Sequence, residues 1–388
     1  MNILIFTDTF KPQINGLVTA ISIFKEGAEK QGHKVYIVAP AVKKYKSSDK
    51  NIIFIPSVPF IFLPEYRITF LISIKILRLI KKTKFDVIHT HTPFSLGIMG
   101  AICGKLFHIP VIHTYHTYFE EYIHYLKLPG YIGKAVAKYF SKFYCEITDK
   151  IIVPSSFIKA VLKSYKIKRN ISVLPTGIDI SKFKVKNREK HIWKHKYKLN
   201  PEDKILLYTG RLAKEKNLYT LIDIFKKIRL KHRHIKLMLV GDGPEKNHLI
   251  NYAVKLNIYE NTIFTGFIPR NKIKFLYAIS DIFVFPSLTE TQGLVLLEAM
   301  ASHIPIVAFY KRGTKSVLPN SKIIGISPVK TKQEFFNEIE FYLNYKNYEK
   351  IKKNLTDFVK KFNYMESTEK LISHYNTILS QKQIYPVL

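Results

Sequence analysis

The hydrophobic positions of the first half fall into short apolar runs separated by longer amphipathic stretches. Runs that we predict to be strands lie at residues 2–8, 35–39, 86–89, 110–112, 150–153 and 171–174. Residues 17–30 carry apolar side chains at helical spacing, and Gly32 ends that stretch. A strand, a helix and a second strand in this order form a parallel pair, which helices cover on both faces.

The same alternation starts afresh near residue 204. Strand-like runs lie at residues 205–209, 236–240, 262–265, 281–285 and 306–309, with helical stretches between them. Such alternation predicts a doubly wound parallel sheet. The expected fold class is therefore α/β, with two Rossmann-like domains facing each other across a cleft. Residues 1–180 would form the first domain and 181–363 the second, with a polar, lysine-rich linker at 180–203.

Length and composition exclude several classes of protein. The chain has 388 residues, of which 47% are apolar, so it is long enough for two or three domains with full cores. This composition excludes a collagen-like repeat, a disordered acidic tail and a disulfide-stapled secreted module. The two cysteines, Cys103 and Cys145, provide neither a disulfide framework nor a zinc site, which favours a reducing compartment.

The charge is strongly basic. Lys and Arg number 62 against 29 Asp and Glu, a formal net charge of +33, and nine of the 62 are arginine. A lysine-rich chain with abundant Ile, Asn, Tyr and Phe is also what an AT-rich genome encodes, so codon drift remains an alternative to selection. If the charge is functional, it fits nucleic acid phosphate or an anionic lipid surface.

No segment has the sequence of a signal peptide or a spanning helix. The start lacks a basic region and a small-residue cleavage site. The most apolar stretch, 52–80, is interrupted by three prolines and by charged residues. We therefore expect a cytoplasmic protein that lies on a membrane at most.

Residues 210–217 lie where a strand ends and a helix is about to begin, the usual ligand position in an open α/β sheet. Gly210 permits the turn, Arg211 offers a planar fork of donors and Lys216 offers a point charge, a set suited to a diphosphate. The alternative is two solvated cations on a basic protein. The Gly-rich turn at 241–244 follows the next strand and is weak evidence alone.

The strongest local signal is the segment 286–299, which leaves a predicted strand and enters a helix near Gly293. Glu290 and Glu298 would stand ~12 Å apart if all of it were helical, whereas paired glycosidase carboxylates stand roughly 5–9.5 Å apart. The spacing suits the two ends of a long ligand, with the helix N-terminus at Gly293 and Leu294 facing an anion. The alternative is a helix-start acid plus a solvated glutamate.

His116 follows the strand that ends at Ile112, and it would face the cleft from the first domain. A histidine in a loop is also commonly structural. The chain contains no Asp-x-Asp, no Walker-type Gly-Lys-Ser/Thr and no Gly-x-Ser-x-Gly. Without a metal-binding acidic pair, a bound diphosphate would be neutralised by Arg211, Lys216 and a helix dipole, so no metal or cofactor is expected.

These residues together resemble the family 4 glycosyltransferases of GT-B fold over essentially the whole chain. The motifs that carry the resemblance are Asn15-Gly16, residues 210–216, residues 175–179 and, most diagnostic, the two glutamates of 290–298. The resemblance implies a retaining transferase that moves a hexose from a nucleotide diphosphate donor without a metal. It also implies that a helix from about Tyr364 crosses back to complete the first domain with residues 364–388.

The resemblance also implies roles for individual residues. Arg211 and Lys216 would hold the diphosphate, and Gly16 would let the first loop approach it. Glu298 would bind the ribose hydroxyls and Glu290 a hydroxyl of the donor sugar, while His116 would contact the sugar near its anomeric carbon.

A narrower resemblance, carried by residues 89–97 and 113–122, is to the bacterial transferases that glycosylate 1,2-diacylglycerol. It implies UDP-glucose or UDP-galactose as donor and a peripheral protein on the cytoplasmic side of the membrane. An aromatic-rich segment agrees with a lipid acceptor; its members are Tyr118, Phe119, Tyr122, Tyr125 and Leu126. Lys134, Lys138 and Lys142 then recur every four residues along a predicted helix, as in basic helices that lie on bilayers. An ordinary surface helix is the alternative.

Two other functions compete with a lipid glycosyltransferase. One is a transferase with the same donor site that acts on another lipid or on a soluble sugar or glycan. The other is a basic nucleic-acid-binding protein, but no RNA-binding signature, helix-turn-helix or base-stacking platform is evident. We therefore expect no nucleic acid partner.

Overall fold

The structure of the chain is a computed structural model that describes residues 1–13, 15–43, 45–59, 67–69, 73–121 and 129–384. The chain divides into two compact units. The first joins Met1–Gly177 to Tyr364–Leu388, and the second is Ile178–Asn363.

The strands are short, as expected for an α/β protein. They are β1 (Asn2–Phe6), β2 (Lys34–Pro40), β3 (Ile52–Ile55), β4 (Ser57–Pro59), β5 (Arg67–Thr69), β6 (Val87–Thr90), β7 (Val111–Thr114), β8 (Lys150–Val153), β9 (Ile171–Val173), β10 (Lys204–Thr209), β11 (Ile235–Val240), β12 (Thr262–Gly266), β13 (Ile282–Phe285), β14 (Ile306–Phe309) and β15 (Ile326–Val329).

The helices alternate with these strands along most of the chain. They are α1 (Gly16–Lys30), α2 (Ile74–Lys82), α3 (Ser95–Leu106), α4 (Gly130–Glu146), α5 (Ser156–Ser164), α6 (Asn187–Lys196), α7 (Leu218–Lys231), α8 (Lys246–Lys255), α9 (Ile273–Ala278), α10 (Leu294–Ala301), α11 (Lys332–Asn344), α12 (Tyr348–Val359) and α13 (Tyr364–Ile384).

The first unit is built on a seven-stranded sheet in the order β3-β2-β1-β6-β7-β8-β9, and every pairing in it is parallel. Strands β6, β7 and β8 are buried at every position, as expected for a sheet covered on both faces, although β6 and β7 end in His-Thr and β8 begins with Lys150. The chain order reverses between β1 and β6, so the loops after these two strands flank the expected ligand crevice.

The C-terminal helix α13 belongs to this first unit and packs against α1. Leu371, Ile372, Tyr375 and Ile378 join the core formed by α1 and the sheet. The two helices approach closely at Gly27, where a Cβ atom would lie 2.4 Å from Thr368 Oγ1. Any larger residue at position 27 would push α13 away from α1.

The second unit contains a six-stranded parallel sheet in the order β12-β11-β10-β13-β14-β15. The reversal lies between β10 and β13, so the two segments singled out in the sequence, 210–217 and 286–293, follow the two strands at this switch point. The predicted α/β class with two Rossmann-like sheets is confirmed.

The structure differs from the sequence prediction at sheet edges and in the linker. Four strands were not predicted. Strands β3 and β15 each lie at the edge of a parallel sheet, and β4 and β5 form a separate antiparallel pair. The segment predicted as a polar linker contains helix α6, because Trp193 stacks on Phe275 of α9 with ring centroids 5.1 Å apart and is largely buried.

Candidate functional site

Glycines shape the turns at the carboxyl end of the second sheet. Gly210 and Gly241 follow β10 and β11 with φ values of 155° and 136°. A Cβ atom on Gly241 would lie 1.9 Å from the carbonyl oxygen of Gly210, so the two turns are in direct backbone contact. Only glycine fits there, and the contact fixes where the segment after β10 begins.

Lys216 and Glu290 come from the two switch-point turns and form an ion pair. Lys216 Nζ lies 2.7 Å from Glu290 Oε1, and the same oxygen accepts a 2.7 Å hydrogen bond from Ser287 Oγ. The turns are also tied by Asn217 Nδ2, which donates to the carbonyl of Pro286 at 3.2 Å. The tertiary fold therefore places the expected phosphate-binding lysine and the expected sugar-binding glutamate at one point.

The charges of this pair are mutually stabilised. Burial raises the pKa of Glu290, but the Lys216 charge and the hydrogen bonds from Lys216 and Ser287 outweigh it and hold the pKa below its ordinary value. Burial lowers the pKa of Lys216, but the charge of Glu290, its hydrogen bond with the lysine and the charges of Tyr208 and Glu215 together outweigh it, so the lysine pKa is raised. Both groups are charged at neutral pH.

Glu298 lies on α10, whose N-cap is Gly293 in the left-handed region with φ 95°. Glu290 therefore lies in the turn before the helix, and the two glutamates do not share one helix. Leu294 is the first helical residue and is half-buried. The Gly293–Leu294 helix start that the sequence predicted is thus at the carboxyl end of β13.

Glu298 is almost completely buried and is bound by two residues that sequence reasoning missed. Arg270, which follows β12, forms an ion pair with Oε1, and the hydroxyl of Tyr277 donates to Oε2 at 2.9 Å. The Arg270 side chain itself remains about one third exposed, at 35%. An arginine after a strand was the available sequence signal, and nothing in the spacing linked it to Glu298.

Two further positions in the second unit are Arg211, which the sequence singled out, and Gly313. Arg211 is half-buried, and its backbone carbonyl accepts a 3.1 Å hydrogen bond from Tyr208. Gly313, also missed from sequence, donates its N–H to the carbonyl of Glu290 at 3.0 Å, and a Cβ atom there would lie 2.2 Å from the backbone of Thr291. A glycine at 313 therefore keeps the Glu290 turn in place.

In the first unit, the loop after β1 leads into α1 through a side-chain cap. Asn15 Oδ1 accepts a 2.8 Å hydrogen bond from the N–H of Val18, which starts the helix at Gly16. A Cβ atom placed on Gly16 would have no described protein atom within 4 Å. Packing against the described residues thus does not require a glycine at this position.

His116 is half-buried beside a second histidine. His116 Nε2 and His91 Nδ1 lie 2.9 Å apart in a hydrogen bond, and the two ring planes differ by only 17°, with centroids 5.1 Å apart. His91 in turn packs on His89 at 4.1 Å, and His89 Nδ1 is hydrogen bonded to Tyr375 of α13 at 2.6 Å. The loops after β6 and β7 and the C-terminal helix thus meet at these rings.

Burial keeps these histidines neutral. It lowers the pKa of His116 to about 4 and that of His113 to about 3, where the charge of His116 adds to the effect. The pKa values of His89 and His91 also lie well below the ordinary value because both rings are buried. Although the histidines are neighbours, the described residues include no group of three or more His, Cys, Asp or Glu side chains placed to hold a metal ion.

A cavity within the first unit adjoins His91 and His116. Helix α1, the segment 174–177 and helix α13 line it, and most of the contributed side chains are apolar. His91 and His116 are its imidazole groups, with Thr114, Ser367 and Thr368 among its hydroxyl groups.

The predicted acceptor segment divides into packed and exposed parts. Tyr118 packs edge-on against Phe157 of α5, whereas Phe119 packs against Phe94, Tyr115 and Phe140, the last of which lies on α4. Both rings are half-buried. Tyr122, Tyr125 and Leu126 lie outside the described residues.

Helix α4 carries an apolar stripe on its outer face. Ile132, Val136, Tyr139 and Phe143 are 39%, 48%, 69% and 59% exposed. Their spacing of four, three and four residues places them on one side of the helix. Lys134 is exposed, and Lys138 and Lys142 are half-buried on the flank of the same helix. Within the described chain, no helix combines the length and apolar character needed to cross a membrane.

Two family descriptions match the chain. Glycosyltransferase Family 4 matches residues 14–182, and Glycosyl transferases group 1 matches residues 189–376.

Curated relatives and a solved structure are also similar. An α-monoglucosyldiacylglycerol synthase of Streptococcus pneumoniae is 37% identical, covering 79% of this chain and 71% of the relative. The synthase of the same name from Acholeplasma laidlawii is 31% identical, with 80% of each chain covered. The Anabaena protein HepE, solved in complex with UDP and glucose, matches with a TM-score of 0.76 at 18% identity, over 97% of this chain and all of HepE.

Proposed function

The chain belongs to the family 4 glycosyltransferases of GT-B fold, and from that premise we propose that it transfers a hexose from a UDP-sugar to 1,2-diacylglycerol at a membrane surface. The product would be an α-monoglycosyldiacylglycerol. The observation that carries the acceptor class is the likeness to two α-monoglucosyldiacylglycerol synthases over 79% and 80% of the chain. Their names favour glucose over galactose as the transferred sugar.

The donor would bind at the switch point of the second sheet. A diphosphate placed before the N-terminus of α10 meets the helix dipole, Lys216 and Arg211. Lys216 would then contact both Glu290 and the diphosphate, which gives the lysine two anionic partners. These cations and the helix dipole would neutralise the diphosphate without a metal ion.

Retention follows from the configuration of the proposed donor and product. UDP-glucose carries its sugar in the α configuration, and the relatives are named for α-linked products. As the glycosidic bond breaks, negative charge builds up on the departing diphosphate, where Lys216 and Arg211 stabilise it. The sugar becomes cationic, and the ionised carboxylate of Glu290 would accept a hydrogen bond from one of its hydroxyls while neutral His116 contacts the sugar.

The acceptor is an uncharged lipid that stays in the bilayer, so the enzyme has to come to it. The exposed stripe of α4 gives apolar and aromatic side chains that can enter the interface. Lys134, Lys138 and Lys142 on the same helix can contribute ~1 kcal/mol each when held near an anionic surface. We propose a peripheral protein on the cytoplasmic side of the membrane, where UDP-sugars are made.

The decisive experiment incubates the protein with vesicles that contain diacylglycerol and with either UDP-glucose or UDP-galactose. Mass spectrometry of the lipids should show addition of one hexose, and NMR should show an α-linked anomeric proton. Parallel reactions with EDTA should proceed unchanged if no metal is needed. Transfer to a soluble sugar with no product on diacylglycerol would replace the proposal with that of a glycan transferase.

A further inference from the structure

We propose that His91 is a positioning residue for His116: it donates Nδ1–H to His116 Nε2 and thereby fixes the ring and its tautomer. Only the predicted effect on catalysis rests on the proposed function, and the hydrogen bond between the two histidines does not. The 2.9 Å hydrogen bond joins two rings whose planes differ by only 17°, so it lies close to the plane of His116 and limits rotation of that ring.

The unpartnered second nitrogen of His91 decides the direction of this hydrogen bond. His91 Nε2 is buried and has no hydrogen-bond partner among the described residues. If His116 donated, His91 would carry its proton on Nε2 as a buried N–H group without an acceptor, which is rare in folded proteins. If His91 donates from Nδ1, Nε2 is a bare acceptor, and this arrangement avoids the orphan donor.

The tautomer of His116 follows directly. With Nε2 accepting from His91, neutral His116 carries its proton on Nδ1. The ring can then offer an N–H donor to a hydroxyl group of a ligand. Histidine function commonly depends on such a partner on the far nitrogen, which selects the protonated site.

The surrounding groups do not compete for this role. The titratable groups that face the pair are His89 and His113 from β6 and β7, and Tyr364 and Tyr375 from α13. His89 is already bonded at both nitrogens, to Tyr375 and to Thr114. The cavity lining among the described residues contains no carboxylate and no lysine, so nothing there favours an imidazolium.

The arrangement also resists protonation of His116. A protonated His116 would present an N–H to His91, which would have to shift its own proton to the buried Nε2. Removing the His91 donor should therefore make His116 easier to protonate. The acid limb of the pH profile of kcat should move to higher pH.

The test uses three substitutions and two readouts. His91→Phe keeps an aromatic ring but removes the donor, and kcat should fall on the order of 10–10²-fold through misplacement of His116. The affinity for UDP should be unchanged, because His91 is not among the residues expected to contact the nucleotide. His91→Asn places an amide N–H near the position of Nδ1 and should recover most of the loss. His113→Phe is the matched control, a buried histidine of the same group whose ring is bonded to Thr90 and not to His116.

The second readout is independent of catalysis. Long-range ¹H–¹⁵N NMR spectra of histidine-labelled protein, assigned with His116→Asn, should show His116 protonated at Nδ1 and a shift toward Nε2 in His91→Phe. An Nε2-protonated His116 in the unsubstituted protein, or an unchanged pH profile in folded His91→Phe, overturns the inference. Absence of lipid glycosylation by the unsubstituted protein would refute the proposed function instead, and the tautomer measurement would still decide the role of His91.

Discussion

Lys216 Nζ and Glu290 Oε1 lie 2.7 Å apart although 74 residues separate them in the chain. Their side chains are only 16% and 17% exposed, so each is the main counter-charge of the other. In the proposed donor complex, a phosphate would meet the lysine and a sugar hydroxyl would meet the carboxylate. The Lys216–Glu290 pair itself carries no net charge before such a donor binds.

Removal of a diphosphate contact should slow transfer strongly. Lys216→Ala and Arg211→Ala should each lower kcat on the order of 10²–10³-fold, because charge develops on the leaving group as the bond breaks. Lys216→Ala also leaves Glu290 unpaired, so thermal unfolding should be checked beside the kinetics. Adding Glu290→Gln to Lys216→Ala should restore part of the lost stability and none of the activity. Full activity in either single variant would exclude these residues from the donor site.

Variants of Glu290 and Glu298 should affect different steps, the first catalysis and the second nucleotide binding. Glu290→Gln should reduce turnover more than UDP affinity, since the carboxylate is proposed to touch the sugar. Glu298→Gln should weaken the binding of free UDP, as measured by calorimetric titration. It also removes the charged partner of Arg270. Arg270→Gln is the control for that second effect: it removes the ion pair and keeps the Glu298 carboxylate. Equal losses of UDP affinity in Glu290→Gln and Glu298→Gln would show that the two roles are wrongly assigned.

The first unit should lose stability in mild acid. His113 and His116 have folded-state pKa values of about 3 and about 4, below the ordinary value of 6.5. As the pH falls below 6.5, the unfolded chain takes up protons that the folded unit does not, so the stability falls with pH down to about 4. Each proton that only the unfolded chain takes up lowers the free energy of unfolding by about 1.4 kcal/mol per pH unit.

Hydrogen exchange of peptides from residues 87–121 should report this effect. The single tryptophan, Trp193, lies in the second unit, so its fluorescence would follow the wrong region. His113→Phe should be less stable at pH 7.5 and should show a shallower pH dependence between 6.5 and 4. A pH dependence of the same steepness in that variant would mean that this histidine is already protonated when folded.

Helix α4 should mediate membrane binding. Replacing Ile132, Tyr139 and Phe143 by Ser should reduce sedimentation with anionic vesicles, because it removes the exposed apolar stripe. Replacing Lys134, Lys138 and Lys142 by Glu should do the same and should remove the salt sensitivity of binding, since screening acts on the charges. UDP affinity should stay nearly unchanged in both variants.

A matched charge reversal on another helix tests the codon-drift alternative. Lys226, Lys227 and Lys231 are exposed on α7 of the second unit, and their change to Glu alters the net charge equally. If the charge is used at α4, this control should bind vesicles far better than the α4 variant. Equal binding by the two variants would show that the basic surplus acts only through the net charge of the protein.

The sequence by itself determined the sheets and the turns that carry the chemistry. Continuous apolar runs and the glycines after them follow from the burial of parallel strands on both faces and from the sharp turns at strand ends, both of which are local requirements. Edge strands were harder to predict. Strand β15 contains Pro328, which argues against a strand in general but is tolerated at a sheet edge.

Only the tertiary structure decided which side chains meet. The pairing of Arg270 with Glu298, the hydrogen bond between His91 and His116 and the burial of Trp193 in a lysine-rich helix join residues from different elements, and no periodicity records such contacts. The same holds for α4, where the outward direction of Val136, Tyr139 and Phe143 depends on which face the rest of the first unit covers. Spacing along the chain identifies candidate groups, whereas their partners, their charge states and their exposure are set by packing between distant segments.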